Sequence, residues 1–415
     1  MAQLSTHADG LVLTIEQAAE RAAERVAAVA GIETVALAAA DGRVLAQDVV
    51  APLDLPPFAN SAVDGYAVRF ADLAASGETR LPVSGRVPAG TDAAGVTTAG
   101  MAVRVFTGAP MPPDADTVFM QEDVKLEAGT VLLPAGLNRG ANARAAGEDL
   151  PRGQTALAAG RCLRPQDLAL LAALGVTEVA VRRRVRVAIF STGDELSEPG
   201  VSLSPAGIYD ANRSLLRALV ARAGAEIVDL GILGDEPESL AERLREAAAD
   251  CDLILTSGGV SAGEEDHVKA AVERAGELAF WRVAIKPGRP VAMGLVAGTP
   301  FIGLPGNPVA VFVTFAFVAR TVIALRAGTK PAPLLGLPVR LGFPYRKKAG
   351  RREYVRVSLV PGLDGVAVAR KHPRDGAGAL ISLTESDGLV ELADELTVVA
   401  EGTIAPFLAY EMLTG

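Results

Sequence analysis

The spacing of apolar residues takes four textures along the chain. From residue 14 to 30 it is helical, opened by Thr14 and Gln17 at the separation of a capping box. A strand-like stretch follows over 42–50. Between 51 and 145 the apolar runs are short (81–83, 102–106, 117–120 and 130–133) and Gly/Pro turns separate them. This is a β texture whose strands are too short for a parallel sheet. Helical spacing returns over 166–174. The chain therefore reads as a mixed N-terminal domain made of 1–50 and 146–181, interrupted by an inserted β-rich domain over 51–145.

Residues 182–329 alternate strand and helix. Strands fall at 185–190, 227–233, 253–256, 291–295 and 301–304, and helices at 212–223, 237–249, 266–274 and after Pro308. Such alternation predicts right-handed βαβ units and a doubly wound parallel sheet. Ligands of such sheets sit beyond the carboxyl ends of the strands. From 330 to 415 the texture is β again, at 337–341, 354–359, 366–369 and 397–400, as expected of a small C-terminal β-barrel or sandwich.

Composition narrows the function classes. A chain of 415 residues divides into two to four cores. Aromatics are only 4%, so those cores are built from Ala, Val and Leu, which suits helices packed on parallel strands. The net charge of −9 argues against a general nucleic-acid binder, so any anionic ligand needs a local basic cluster. Cys162 and Cys251 lie far apart and there are three histidines, which excludes a structural zinc site and a disulfide framework. The N-terminus lacks the basic-then-apolar signature of a secretion signal. The longest apolar run, 309–325, contains Arg320 and has helical spacing, so it reads as a buried helix. A soluble, cytoplasmic protein without nucleic-acid or membrane partners is expected.

Candidate chemistry gathers at the strand ends of the α/β region. After Phe190 comes Ser191-Thr192-Gly193-Asp194-Glu195, after Thr256 comes Ser257-Gly258-Gly259-Val260-Ser261, and after Leu304 comes Pro305-Gly306-Asn307-Pro308. Glycines let such turns approach a ligand closely, and the amides at following helix N-termini can cradle an oxyanion. One Gly-rich turn is ordinary in an α/β fold. Three at one sheet edge point to a phosphate-bearing ligand, although none matches a P-loop or a GxGxxG pattern. Asp194, Glu195, Asp210, Asp235, Glu264, Glu265 and Asp266 crowd the same edge and suit Mg²⁺. Asp235 and Asp266 are equally well placed to cap the helices that follow. Arg282, Lys286 and Arg289 form a basic run within an acidic chain, a solvated face or the cationic wall of a phosphate site. The insert adds the run from Pro57 to Val68 around Asp64-Gly65, then Thr107-Gly108-Ala109-Pro110, and Arg144 with Gly147-Glu148-Asp149.

Together these segments resemble the MoeA family of molybdopterin molybdenumtransferases and the homologous gephyrin E domain, most closely over residues 50–310. The resemblance implies a MogA-like molybdopterin-binding α/β domain over 182–329, flanked by the N-terminal, inserted and C-terminal domains. It implies a homodimer in which the α/β domain of one subunit works with the insert of the other. The substrates would be adenylated molybdopterin and molybdate, with Mg²⁺, and AMP would be released. Carried over by motif, Asp64, Thr107, Glu195, Asp235, Asp266 and Lys286 are the catalytic positions. Glu195, Asp235 and Asp266 are also the metal ligands. Arg144, Asp149, Ser257, Gly258, Gly259, Ser261, Arg282, Arg289, Pro305, Gly306, Asn307 and Pro308 are the substrate-binding positions. Ser382 is carried over as a polar contact in the segment 376–383, which is poorer in serine than in relatives. A MogA-type adenylyltransferase is a possible partner. Two other readings stay open, a molybdopterin adenylyltransferase on the same α/β fold and a gephyrin-E-like scaffold that binds peptides.

Overall fold

The computed structural model describes residues 12–260, 267–331 and 333–414. The chain forms two compact units, one of residues 1–33, 42–46 and 181–415, the other of residues 34–41 and 47–180.

The larger unit is built on a seven-stranded sheet in the order Val12–Leu13, Gly276–Val283, Pro290–Val296, Thr299–Leu304, Leu253–Ser257, Arg186–Thr192, Glu226–Leu233. Arg186–Thr192 runs parallel to both of its neighbours, and Leu253–Ser257 is parallel to Thr299–Leu304. These strands are fully or mostly buried and read as continuous apolar runs because helices cover both faces. Ala211–Arg222 and the long helix from Pro308 cover one face, closing a core around Ile189, Leu216 and Leu255. Pro237–Asp250 and His267–Ala275 cover the other, around Phe190, Leu244 and Phe301. The expected α/β class is therefore present. The strand Pro290–Val296 is antiparallel to both of its neighbours, Gly276–Val283 and Thr299–Leu304, so the sheet is mixed. Alternation alone does not show this, because a hairpin turn can replace a crossover helix without changing the strand pattern.

The helix Ile15–Arg25 belongs to this unit and opens with the anticipated reciprocal cap: Thr14 N donates to Gln17 Oε1 and Gln17 N to Thr14 Oγ1. Helix Pro308–Arg326 is long and apolar enough to cross a membrane, yet most of it is buried in the core.

The C-terminal part of the unit is a closed five-stranded barrel. Arg352–Val360, Val368–Lys371, Leu337–Leu341, Ile404–Ala409 and Gly388–Leu392 pair in sequence, and the last returns to the first. Closure leaves no free edge among these five strands. The strand Ile285–Lys286 extends the sheet beyond the ring, parallel to Arg352 and Glu353, and so ties the basic run of the α/β part to the barrel.

The smaller unit contains a six-stranded sheet ordered Thr117–Met120, Gly65–Val68, Ala102–Val105, Thr79–Val87, Thr130–Leu133, Lys125–Glu127. Apolar clusters around Tyr66, Phe119 and Leu133 and around Ala67, Val103 and Val118 pack its two faces. The helix Pro165–Ala173 opens on Arg164, whose amide donates to Asp167.

Candidate active site

In the smaller unit, local backbone constraints bring the insert's scattered motifs together. A Cβ on Gly65 would lie 1.9 Å from the Phe119 carbonyl oxygen, so only glycine lets the chain enter its strand here. Asp64 is thereby left at the mouth of the turn. Its Oδ1 accepts from the Thr107 amide and from Thr107 Oγ1, each at 2.8 Å. These two bonds, with the Arg104 charge as a lesser cause, hold the Asp64 carboxyl below its usual value. Arg104 lies 4.9 Å from the Phe106 ring centre and 5.2 Å from that of Tyr66. Ser61 N donates to the Ala109 carbonyl and Gly108 N to the Ser61 carbonyl, while Asn60–Ser61 also pairs with Ala143–Arg144. Arg144 forms ion pairs with Glu148 and Asp149. Asp64, Thr107, Arg144 and Asp149 thus belong to one framework of neighbouring turns.

In the larger unit, Ser257 pairs with Ser191 and Leu304, and Thr192 with Leu233, so the four strands end side by side. Gly258 N donates to the Leu304 carbonyl, and the Gly306 carbonyl accepts from Asn212 Nδ2 at 2.6 Å. The Ser257-Gly258-Gly259 and Pro305-Gly306-Asn307-Pro308 turns therefore meet. Gly259 has φ of +64°, and a Cβ there would stand 2.4 Å from Val268 Cγ2, so both backbone and packing require glycine. The Val309 amide, at the start of the helix, is taken by the Ala377 carbonyl of the C-terminal part.

Asp235 does not cap the helix after it. Glu236 does, accepting from the amides of Glu238 and Ser239. Asp235 instead accepts from Thr192 Oγ1 at the end of the neighbouring strand. Glu195 follows on the same turn as Thr192; it is exposed, and its carboxylate folds back over Gly193. Asp210 has a structural task, capping Ala211–Arg222 and pairing with Arg213, which also reaches Asp229 and Glu198. Ser261, Glu264, Glu265 and Asp266 lie outside the described residues. Among the described residues no three His, Cys, Asp or Glu side chains are grouped to hold a metal ion.

A cavity of about 300 Å³ opens beside the basic run. Lys286, Arg289, Pro305 and Asn307 line it from the α/β part, and Arg356, Lys371, His372 and Arg374 from the barrel. Arg282 and Pro308 are not among its lining residues. Glu353 and Asp375 are its acids. Glu353 is 1% exposed and accepts from Lys286 Nζ at 3.1 Å, Tyr345 Oη at 3.0 Å and Arg351 Nε at 2.9 Å. Burial opposes its charge, but the Lys286 and Arg351 bonds prevail and hold its carboxyl below the ordinary value. Asp375 is taken by Lys371 at 2.8 Å. Arg356 is 5% exposed, and burial pushes its guanidinium down. It donates to Ser382 Oγ at 2.9 Å and to the Arg374 and Gly376 carbonyls at 3.2 Å, none of them a carboxylate. With Arg289 and Arg374 also lining it, the cavity carries surplus positive charge and is chemically fitted to an oxyanion.

The barrel's contribution is what sequence reasoning missed. Its signal was available: Arg370, Lys371, His372 and Arg374 fall within five residues of an acidic chain, denser than the three basic residues over 282–289. Ser382 Oγ accepts from Arg356 Nε within the barrel part.

A doubly wound α/β part whose strand-end turns adjoin a cationic cavity defines a class, proteins that bind an anionic, phosphate-bearing ligand at a sheet's carboxyl edge. Comparison with known proteins specifies it. Residues 13–175 match the MoeA N-terminal region (domain I and II), 188–325 a probable molybdopterin binding domain, and 338–410 the MoeA C-terminal region (domain IV). The molybdopterin molybdenumtransferase of Haemophilus influenzae is 36% identical over 95% of this chain and 99% of its own. Molybdopterin molybdenumtransferase 2 of Mycobacterium tuberculosis is 37% identical over 89% and 93%. The crystal structure of the molybdopterin biosynthesis moeA protein from Pyrococcus horikoshii superposes with a TM-score of 0.81 at 30% identity, covering 96% of this chain and all of that one. The chain belongs to the MoeA family of molybdopterin molybdenumtransferases.

Proposed function

We propose that the protein transfers molybdenum from molybdate to adenylated molybdopterin, with release of AMP. The observation that carries this reading is the cavity between Lys286, Arg289 and Arg356, whose positive charge exceeds its acids and suits a tetrahedral oxyanion. The Ser257–Gly259 and Pro305–Pro308 turns would hold the phosphate-bearing substrate at the sheet edge. Asp64 and Thr107, with Arg144 and Asp149, would meet the substrate from the insert of a second subunit. The family relationship supports an enzyme, and no observation favours the adenylyltransferase or scaffold alternatives. The test is AMP release. Purified protein given adenylated molybdopterin and molybdate should release AMP in a molybdate-dependent manner. ATP consumption instead would assign it to the adenylyltransferases.

Mg²⁺ is part of the proposal. Asp235, free of capping duty and bonded to Thr192, and Glu195 on the same turn offer two carboxylates. Mg²⁺ commonly binds one or two carboxylates and completes its shell with phosphate oxygens and water, so the residues present fit it. When bound, it would neutralise charge on the phosphoanhydride that is cleaved. The four-domain division, a cytoplasmic location, homodimer assembly and service to a MogA-type adenylyltransferase complete the proposal. Mixed Asp64→Ala and Glu195→Ala subunits, exchanging at random, should recover roughly a quarter of wild-type activity if a site is shared between subunits. No recovery despite proven exchange would count against sharing.

A further inference from the structure

Glu353 has a charge opposite to most of the cavity it lines. It is a carboxylate, 1% exposed, in a cavity otherwise equipped for anions, and it would repel any oxyanion bound there. A purely structural staple between the barrel and the basic run does not need a charge at that point. The strand pairing of Ile285–Lys286 with Arg352–Glu353 already joins them. What the carboxylate does is directional. Its Oε2 accepts from Lys286 Nζ at 3.1 Å and from Tyr345 Oη at 3.0 Å. Its Oε1 accepts from Arg351 Nε at 2.9 Å. Lys286 remains about half exposed at its side chain and lines the cavity. An ammonium has three donors on a flexible four-carbon stem. With one donor fixed on Glu353, the other two are left for the cavity. Arg351 supplies a second positive charge to the same carboxylate, so the group of three keeps a net positive charge.

We propose that Glu353 is a positioning residue for Lys286: it fixes the direction of the ammonium that meets the oxyanion, and in doing so trades binding strength for orientation. The proposal rests on the functional reading of the cavity. It makes an unusual demand. Removing the negative charge should leave oxyanion binding intact or tighter while slowing turnover, whereas a merely structural residue would weaken both together.

The test uses Glu353→Gln, which keeps size and an acceptor, with Lys286→Ala as reference. Thermal unfolding checks the fold, and calorimetric titration with molybdate alone gives affinity. Molybdate-dependent AMP release gives kcat and KM, and ¹³C-labelled lysine NMR follows the Lys286 side chain. The expected result is a folded Glu353→Gln protein with molybdate affinity equal to wild type or up to severalfold tighter. Its kcat should fall at least tenfold, and the Lys286 resonance should shift. Should Lys286→Ala be inactive while Glu353→Gln turns over normally, the proposal fails and the functional reading survives. Full turnover in Lys286→Ala would overturn the proposal and the place of Lys286 in the site, while the molybdate-dependent AMP release itself would still support the activity. If Glu353→Gln instead fails to fold, Glu353→Asp decides. It keeps the charge on a shorter arm, and parallel losses in affinity and kcat would mark a structural role and overturn the proposal. Retained affinity with reduced kcat would support it.

Discussion

Replacing Arg356 by Met probes the cavity with a predictable magnitude. The two side chains are similar in length, so the apolar stem is kept while the guanidinium is lost. Arg356 is 5% exposed and donates three hydrogen bonds, to Ser382 Oγ and to the Arg374 and Gly376 carbonyls. Hydrogen bonds from a charged group contribute about 1.5–3 kcal/mol each. Against this, a buried guanidinium without a carboxylate partner bears a desolvation cost of several kcal/mol, which Met does not. The two freed carbonyls belong to exposed residues and can turn to water, and Ser382 Oγ still donates to the Ala379 carbonyl. Stability should therefore fall by only about 1–2 kcal/mol. Oxyanion binding should suffer more. Opposite unit charges about 4 Å apart interact by about 4 kcal/mol at an effective dielectric of 20. Solvent screening in the open cavity reduces this to roughly 2–3 kcal/mol, about a 30- to 160-fold loss of molybdate affinity. Arg356→Lys keeps the charge and should recover part of it. Calorimetric titration with molybdate at low and high ionic strength measures both variants. Affinity within threefold of wild type for Arg356→Met would show that this guanidinium does not face the bound anion.

Three further outcomes are expected. Asp235→Asn should change unfolding free energy by less than about 0.5 kcal/mol, because Glu236 is the cap, yet lower molybdate-dependent turnover at least tenfold. Thr107→Val removes the hydroxyl bond to Asp64 and keeps the amide bond, so the Asp64 carboxyl should rise toward its usual value. The sign follows: a lowered carboxyl pKa aids stability above about pH 4 and loses that aid as pH falls, so the acid limb of the activity profile should move to higher pH in the variant. Gly259→Ala combines a left-handed backbone with a Cβ 2.4 Å from Val268, and should destabilise by about 2–4 kcal/mol. In denaturant unfolding, adding Val268→Ala should cost less than the two single changes summed.

How far the sequence reached can be judged from particular elements. Arg186–Thr192, Leu253–Ser257 and Thr299–Leu304 were legible because burial on both faces writes an uninterrupted apolar run. Gly276–Val283 was not read as a strand. Glu277 and Arg282 interrupt its apolar run, and it follows a helix after no recognisable turn. The strands Gly388–Leu392 and Ile404–Ala409 were also missed, although both are needed to close the barrel. Gly and Pro within them masked the period. For the site, the Asp64 and Thr107 pairing came from family resemblance, since nothing in a separation of 43 residues announces two 2.8 Å bonds. The sequence left open whether Asp235 caps the helix after it, because Asp235 and Glu236 both precede Pro237. Only the folded chain could show that one reaches the amides and the other Thr192.

The central claim is that the cavity bounded by Lys286, Arg289 and Arg356 receives the oxyanion. Anomalous diffraction at the molybdenum edge, from crystals soaked in molybdate, tests it most directly. The account predicts a molybdenum peak inside that cavity, within hydrogen-bond distance of at least one of these three side chains, and its loss in Arg356→Met crystals. A well-occupied peak elsewhere on the protein, with this cavity empty of molybdenum, would contradict it.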